Sequence, residues 1–238
     1  MRSSTTIRSV VSRALPIFFS GRLMAVVFVP LIGAAIAWVA IAALSWQPLV
    51  HWLATSVFDW SGKGAEFLGI LTAAMALLLA AVATALVAIS ILAMPVIVNL
   101  VAAREFPSLE RRKGGTFSGS VINALSATAM FVALWLLALP LLVFPPAYVV
   151  ANLLINANLN RRMLPYDALA EHADRDELDR VRRESRKRLF LLGLTLAPLS
   201  LVPVVNFFAS LFAGVAFTIL CLDELAKLRA VNRQQAPQ

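Results

Sequence analysis

The sequence predicts an all-α integral membrane protein with two long transmembrane helices, two re-entrant helical hairpins and a charged cytoplasmic helix. Three observations predict this fold class. First, 60% of the 238 residues are hydrophobic and 14% are charged, against roughly 25% charged residues in soluble domains. Second, the charges are segregated into short basic segments between long apolar blocks. Third, the last two blocks carry prolines near their centres. We expect residues 1–238 to form a single membrane domain.

The N-terminal segment, residues 1–22, is predicted to be a cytoplasmic amphipathic helix. Residues 3–20 are rich in Ser and Arg and contain no acid. This composition is typical of a helix that lies on a membrane surface, and it also occurs in mitochondrial transit peptides. Since no cleavage site is visible, we expect the surface helix. The block that follows is longer than the apolar region of a secretory signal, so we expect it to act as an anchor.

Two apolar blocks, residues 23–45 and 67–103, are predicted to be the spanning helices. The segment 46–66 between them contains one basic residue, whereas segments 1–22 and 104–113 contain four each. The positive-inside rule assigns the basic segments to the cytoplasm. The poor segment also contains Trp46, Trp52 and Trp60, and tryptophan is enriched at membrane interfaces. We therefore expect this loop outside and both termini in the cytoplasm.

The block 116–160 is predicted to be the first re-entrant hairpin. Its length would also allow two full spans with an external turn, and that alternative is open. Pro140, Pro145 and Pro146 interrupt helical hydrogen bonding, and the stretch 140–146 has no polar side chain. Non-helical backbone within the membrane is tolerated only where protein or a water-filled cavity covers it. We therefore expect a buried apex at these prolines.

The block 189–222 is predicted to be the second re-entrant hairpin. Its 34 residues carry no charge, which is too many for one crossing of ~20 residues and too few for two. Pro198, Pro203 and Asn206 lie near its middle, and both flanks are basic. The two apices share a Pro-Leu start and a Val-Pro or Val-Phe-Pro end, which indicates either a transporter-type repeat or chance recurrence in a biased chain.

The segment 161–188 is predicted to be a charged cytoplasmic connector, followed after the second hairpin by a cytoplasmic tail, 223–238. The connector holds nine basic and seven acidic residues. Asp174 and Glu177 have the spacing of a helix capping box. Oppositely charged residues four apart can pair along one helix face, as in Asp176/Arg180, Asp179/Arg183 and Glu184/Arg188. We expect a solvated helix, with a partner-docking surface as the alternative.

Catalytic chemistry is not indicated. The sequence contains no HExxH, CxxC or phosphate-binding-loop motif, and the apolar blocks contain neither an acid nor a His. His51 and His172 are expected on opposite sides of the membrane, so they cannot share a metal ion. Cys221, the one cysteine, lies in an apolar run and excludes an intrachain disulfide. We expect no enzyme activity, no cofactor, no metal site and no nucleic-acid partner.

The candidate ligands within the blocks are neutral hydrogen-bonding groups. Asn152 and Asn156 are four residues apart and share a helix face. Thr116 and Ser118 open a helix, and helix N-termini attract anions. Asn206 follows the second apex. Each has a structural alternative, namely contact between helices for the Asn pair, N-capping for the hydroxyls and turn capping for Asn206.

Two stretches carry a family resemblance: LLINANLNRRMLPYDALAEH at 153–172 and GLTLAPLSLVPVVNFFASLFAGVAFTI at 193–219. With the order of Ala93–Pro95 and Arg104–Pro107 before them, they resemble the CysZ-type sulfate permeases and the related etoposide-induced membrane proteins, over about residues 16–225. The resemblance implies a bacterial inner-membrane protein with both long helices and partly inserted hairpins. It also implies a homo-oligomer that contacts membrane lipid and takes up sulfate for cysteine synthesis.

The resemblance also implies where the anion binds. In those permeases the first long helix begins with Gly and a pair of Arg, which would contact the anion. Here Gly21-Arg22 is followed by Leu23, and one lost charge-assisted partner costs ~1.5–3 kcal/mol. The structural alternative for Arg22 is a snorkelling anchor just before the first span. We predict a permease for sulfate or a similar small inorganic anion, the alternative being a non-transporting membrane scaffold that acts through its charged helix. The predicted ligands are Gly21, Arg22, Thr116, Ser118, Asn152, Asn156 and Asn206.

Overall fold

The computed structural model describes residues 6–56 and 63–235. These residues form eight α-helices and two short 3-10 helices, so the all-α prediction is confirmed. Residues 1–5, 236–238 and 57–62, which include Trp60 of the predicted outer loop, lie outside the described residues. The α-helices are α1 Ile7–Phe18, α2 Gly21–Ser56, α3 Lys63–Glu105, α4 Phe117–Ala138, α5 Pro145–Leu169, α6 Arg175–Glu184, α7 Arg186–Leu196 and α8 Pro203–Gln235.

Four of these helices are long and apolar enough to cross a membrane, which makes the chain a multi-pass membrane protein. The candidate spans are Gly21–Thr55, Glu66–Glu105, Ser118–Val143 and Val205–Gln235. About 11% of the most apolar window is buried in each of the first three, against 67% in the last. The last span therefore lies inside its unit, whereas the others present apolar side chains outward, as lipid-facing helices do. The re-entrant hairpins remain a prediction.

The chain divides into two compact units, Gly21–Ala93 and the combination of Met1–Ser20 with Met94–Gln238. We call Gly21–Ala93 the hairpin unit and the other one the polar unit. Both predicted re-entrant hairpins, 116–160 and 189–222, belong to the polar unit. In the hairpin unit, α2 continues to Ser56 instead of ending near the predicted Ser45. The reason is a helical stripe of apolar residues in the segment expected to be a loop. The stripe packs with Ala73 of α3 and consists of Trp46, Leu49, Val50 and Leu53.

The polar unit contains two helix interruptions at the predicted apices. A 3-10 helix, Leu139–Val143, joins α4 to α5, and another, Ala197–Leu201, joins α7 to α8. Each 3-10 helix has a proline at its start, and each following α-helix begins with a proline. Proline is tolerated there because the first N–H groups of a helix have no intrahelical acceptor. The predicted positions of both breaks are confirmed.

Helix α8 is the central element of the polar unit and packs against α1, α5, α6 and α7. Helix α1 contacts it through Phe18, whose ring lies edge-on to Phe212 with centroids 5.6 Å apart. Arg13 of α1 also pairs with Glu105 at 2.6 Å. The predicted N-terminal helix is therefore present, but its apolar face lies on protein, because α8 offers it aromatic side chains.

The predicted connector is two helices with a turn before them. Helix α5 runs to Leu169, and α6 and α7 are separated at Ser185. The Asp174–Glu177 capping box is confirmed, with the Glu177 N–H donating to Asp174 at 2.8 Å. The expectation of one solvated helix is wrong, because α6 buries Glu177, Leu178 and Val181. Leu178 and Val181 are apolar, and Glu177 is paired with the buried Arg229, so this face of α6 is stable away from water.

Candidate anion site

Thr116 and Ser118 lie at the N-terminus of α4. The Thr116 hydroxyl accepts a hydrogen bond from the backbone N–H of Gly119 at 3.1 Å, so the N-capping alternative is confirmed for Thr116. The Ser118 hydroxyl lies 3.3 Å from the Thr116 hydroxyl. Capping satisfies one N–H group of the first turn and leaves the other N–H groups of that turn pointing outward. An anion could bind this first turn only through the N–H groups that the Thr116 hydroxyl does not use.

A short non-helical segment fixes the start of α4 against the turn that follows α5. Lys113 donates its N–H to Glu171 O at 3.1 Å, Gly114 to Ala173 O at 2.8 Å and Gly115 to Ala170 O at 3.0 Å. A Cβ at Gly114 would lie 2.5 Å from the Asp174 backbone, so the approach requires glycine. These bonds determine where the first turn of α4 begins.

Asp167 of α5 contacts the first turn of α4 and was not among the predicted ligands. Its carboxylate accepts a hydrogen bond from Ser120. Burial raises the pKa of Asp167, and the Ser120 hydrogen bond and the charge of Arg182 oppose part of that rise. The Tyr166-Asp167 pair was the sequence feature that could have pointed to Asp167.

A cavity of about 230 Å³ beside the cap is lined by Gly114, Thr116, Gly119, Tyr166, Arg175, Leu178 and Asp179.

Asn152 and Asn156 are both half-buried on α5 and bind each other. The Asn156 amide nitrogen donates to Asn152 Oδ1 at 2.6 Å and to the Asn152 carbonyl at 2.9 Å. Among the described residues, the Asn152 amide N–H groups have no hydrogen-bond acceptor. Those two donors remain for a ligand, since each side-chain amide carries two N–H groups.

The remaining candidates lie on other elements. Asn206 is exposed in the first turn of α8, where its backbone N–H donates to Val202 O at 2.7 Å. Gly21 and Arg22 are exposed at the start of α2, in the hairpin unit. Within the polar unit, Thr116 with Ser118 and Asn152 with Asn156 form two separate pairs. Asn156 and the Tyr166 that touches Thr116 are ten residues apart on α5, or ~15 Å along a helix.

A buried ion pair joins α8 to α6, next to the turn that binds the segment before α4. Arg229 of α8 donates to both carboxylate oxygens of Glu177, at 2.9 and 2.8 Å, and to the carbonyls of His172 and Glu110, at 2.6 and 2.9 Å. Arg112 also pairs with Glu177 at 3.0 Å. Burial would raise the pKa of Glu177, but hydrogen bonds from Arg229 and the Asp174 backbone more than offset this and lower it. Sequence reasoning missed the pair because its members lie 52 residues apart.

Comparison with known proteins identifies the family. Residues 10–210 match the family described as Sulfate transporter CysZ/Etoposide-induced protein 2.4. No curated protein and no solved structure matches the chain. The family match includes α2 to α7, both helix breaks and the first turns of α8. The chain therefore belongs to the family of the sulfate transporter CysZ and the etoposide-induced protein 2.4.

Proposed function

We propose that this protein is an inner-membrane permease for sulfate or a similar small oxyanion, and not an enzyme. The observation that carries the proposal is membership, over residues 10–210, of a family whose description names a sulfate transporter. Two apolar helix breaks in the polar unit support it. Broken helices near the membrane centre are a recurring feature of transporter sites, because they free backbone groups to meet an ion.

The proposed arrangement has two spanning helices, 23–45 and 67–103 with their extensions, and two re-entrant hairpins, 116–160 and 189–222. The length of helix α7 favours the second hairpin. Its 11 residues are ~16 Å long, which is too short to cross a hydrocarbon core ~30 Å thick. Its first three residues are also basic. The connector 161–188 and both termini then lie in the cytoplasm.

The first apex supports a homo-oligomer. Val143 is 91% exposed and Phe144 is 64% exposed at the end of the 3-10 helix. Irregular backbone at membrane depth must be covered by protein or face a water-filled cavity. In a re-entrant hairpin, a second copy of the chain would provide that cover, and the membrane lipid would contact α2 and α3.

The proposed ligands are neutral donors with one cation. The Asn152 amide and the N–H groups beside the Thr116–Ser118 cap can bind an oxyanion without the cost of a buried cation. Arg22 at the start of α2 would supply the one charge-assisted contact. Gly21, Asn156 and Asn206 complete the proposed set, Asn156 by holding Asn152 in place.

Uptake of labelled sulfate into liposomes that contain the purified full-length protein tests the function. We expect uptake above empty liposomes, and a loss of about tenfold or more for Arg22→Gln. Arg8→Gln is the matched control, because it removes an exposed charge from α1 and leaves the proposed ligands unchanged. Absence of uptake for sulfate and for other small oxyanions would overturn the proposal.

Thiol labelling from outside tests the hairpins separately. In a Cys221→Ser background, single cysteines are placed at Phe144 and Val202, which are exposed at the two breaks. We expect little reaction with an impermeant reagent applied from outside. Strong labelling at both positions would replace the hairpins with full spans.

A further inference from the structure

Five arginines line one cavity of about 410 Å³ in the polar unit. They come from three helices, two residues from α5, two from α6 and one from α7. Asp179 of α6 is the one carboxylate in the lining. Folding thus gathers five cations around one acid. Among the proposed transport ligands, only Asn152 and Asn156 share a helix with any of these arginines, and both precede Arg161 on α5. The five arginines are Arg161, Arg162, Arg182, Arg183 and Arg186.

None of these five arginines has an ion-pair partner among the residues that the structure describes. Among residues 6–56 and 63–235, none of the five forms an ion pair with a carboxylate, whereas Arg112, Arg180, Arg188 and Arg229 all do. Like charges repel, and burial makes the repulsion stronger. Burial first, and then the charges of Arg186 and Arg162, lower the pKa of Arg161. Five cations therefore share one lining carboxylate, Asp179, and none of them forms an ion pair with it.

Two of the guanidinium groups have buried donors with nothing to bind. The Nε atoms of Arg161 and Arg162 are buried and have no hydrogen-bond partner among the described residues. A buried N–H left without an acceptor is costly, so native proteins rarely retain one. The packing of the described residues therefore leaves both α5 arginines incompletely paired.

The neighbouring groups hold these side chains in place. Arg161 donates through Nη2 to Asn158 Oδ1 at 2.5 Å. Arg182 donates to Asn123 Oδ1 at 2.8 Å and to the Arg162 carbonyl at 3.3 Å, and its guanidinium lies 5.7 Å from the centre of the Tyr166 ring. Side chains that are already ordered lose less conformational entropy when they bind a ligand.

We propose that this arginine-lined cavity binds a tetrahedral oxyanion of about two negative charges, held by the guanidinium groups of the five arginines that line it. The planar guanidinium fork matches the oxygens of sulfate and phosphate. Arg183 and Arg186 are exposed at the cavity and supply the remaining charge. The anion is either free in solution or the phosphate of a lipid headgroup, since basic pockets beside the membrane bind such headgroups. The proposal is independent of transport.

The first arm of the test measures binding of free anions. The full-length protein in a neutral detergent is titrated calorimetrically with sulfate and with inorganic phosphate, with chloride at equal ionic strength as the reference. We expect a Kd that rises about tenfold or more in Arg161→Gln/Arg162→Gln. Arg180→Gln/Lys187→Gln is the matched control, because it removes two charges from exposed positions of α6 and α7 that do not line the cavity, and its Kd should change less than about twofold.

The second arm asks whether the anion belongs to a lipid. The same proteins in phosphatidylcholine bilayer discs with and without phosphatidic acid are released into a mass spectrometer, and retained lipids are counted. Retention of phosphatidic acid by the wild type, and its loss in Arg161→Gln/Arg162→Gln, would assign a headgroup. Binding in the first arm alone would assign a free anion.

Either assignment supports the proposal, and two results overturn it. One is absence of binding in both arms. The other is an equal loss in the cavity variant and in the matched control, which would mean that net charge alone attracts the anion. If the Arg161→Gln/Arg162→Gln protein does not fold, Arg183→Gln/Arg186→Gln replaces it, because both side chains are exposed, with about tenfold weaker binding expected.

Discussion

The two units of the molecule are stabilised in different ways. In the hairpin unit, the core of α2 against α3 is apolar, and among its described residues one side-chain hydrogen bond joins the helices, from Trp38 to Thr84 at 3.1 Å. In the polar unit lie all ion pairs of the described residues, including the buried Arg229–Glu177 pair. The hairpin unit is thus specified by hydrophobicity and shape, whereas the polar unit depends on particular partners. Its stability should respond more strongly to single substitutions.

The largest effect is expected for Glu177→Gln. Arg229 and Glu177 are each 8% exposed in their side chains, and removal of one partner of a buried ion pair costs about 3–5 kcal/mol. The control is Glu184→Gln, which removes the exposed pair with Arg180 and should cost about 0.3–0.5 kcal/mol. Denaturant unfolding in detergent micelles measures both. Equal losses would contradict the special role of the buried pair.

A single added methyl group should distinguish close helix packing from open lipid-facing surface. A Cβ at Gly193 of α7 would lie 2.9 Å from the carbonyl oxygen of Ala157 on α5, whereas nothing lies within 4 Å of one at Gly33 of α2. Gly193→Ala should therefore lower the free energy of unfolding by about 1–3 kcal/mol. Gly33→Ala should change it by about 0.5 kcal/mol or less. An unchanged free energy of unfolding in Gly193→Ala would show that α5 and α7 can move apart without cost.

Two groups of the polar unit, His172 and Glu177, should lower its stability as pH falls, whereas Asp167, whose pKa is raised, should oppose part of the loss because its folded form binds a proton more readily. Burial, then the charge of Arg111, lower the pKa of His172 below 6.5; Glu171 opposes this and Arg229 adds to it. Because the folded form resists protonation, stability is complete above pH 6.5 and is lost as pH falls below it. Glu177, whose pKa lies below 4.5, adds a second loss below that pH. Each group contributes at most about 1.4 kcal/mol per pH unit.

His172→Asn separates the two stages of the acid response. The variant should abolish the dependence on pH that begins at 6.5 and keep the one that begins at 4.5. Chemical unfolding at a series of pH values gives the slopes. An unchanged slope between these pH values in the variant would exclude His172 as the titrating group.

The smallest effect is expected in the hairpin unit. Trp38→Phe removes the hydrogen bond to Thr84 and keeps most of the apolar surface. Side-chain hydrogen bonds between membrane helices contribute about 0.6 kcal/mol on average. Trp135→Phe is the matched control, since that indole makes no hydrogen bond to a described residue and is 37% exposed. A loss above 2 kcal/mol in the Trp38 variant would refute the contrast between the units.

Local features were predictable from the sequence. Both helix breaks, the N-cap at Thr116 and the Asp174–Glu177 capping box occur at the predicted residues. Each depends on residues within about four positions, because proline lacks an N–H and a capping side chain reaches only its own first turn. The continuation of α2 to Ser56 was not predicted. Trp46 was interpreted as an interfacial residue, whereas it packs in a helical stripe against α3.

The candidate site was predictable only in part. Asn152 and Asn156 are neighbours in the structure, as a spacing of four on one helix predicts, and Thr116 and Ser118 are neighbours because Thr116 is the N-cap residue of α4. The sequence did not indicate that Asn156 uses its donors on Asn152, or that Asp167 lies behind the cap of α4. Those contacts depend on rotamers and on the packing of α4 against α5, which spacing along one helix does not specify.

The sequence by itself determined the all-α class, the presence of long apolar helices and the positions of the two helix breaks. These properties follow from hydrophobicity and backbone chemistry, which each residue carries wherever it lies. The tertiary structure decided which charges meet. Arg229 reaches Glu177 and five arginines from α5, α6 and α7 surround one cavity, because the helices that carry them pack together. Charge interactions fall off within a few ångströms in water but persist where folding excludes it, so the partners become visible only in three dimensions.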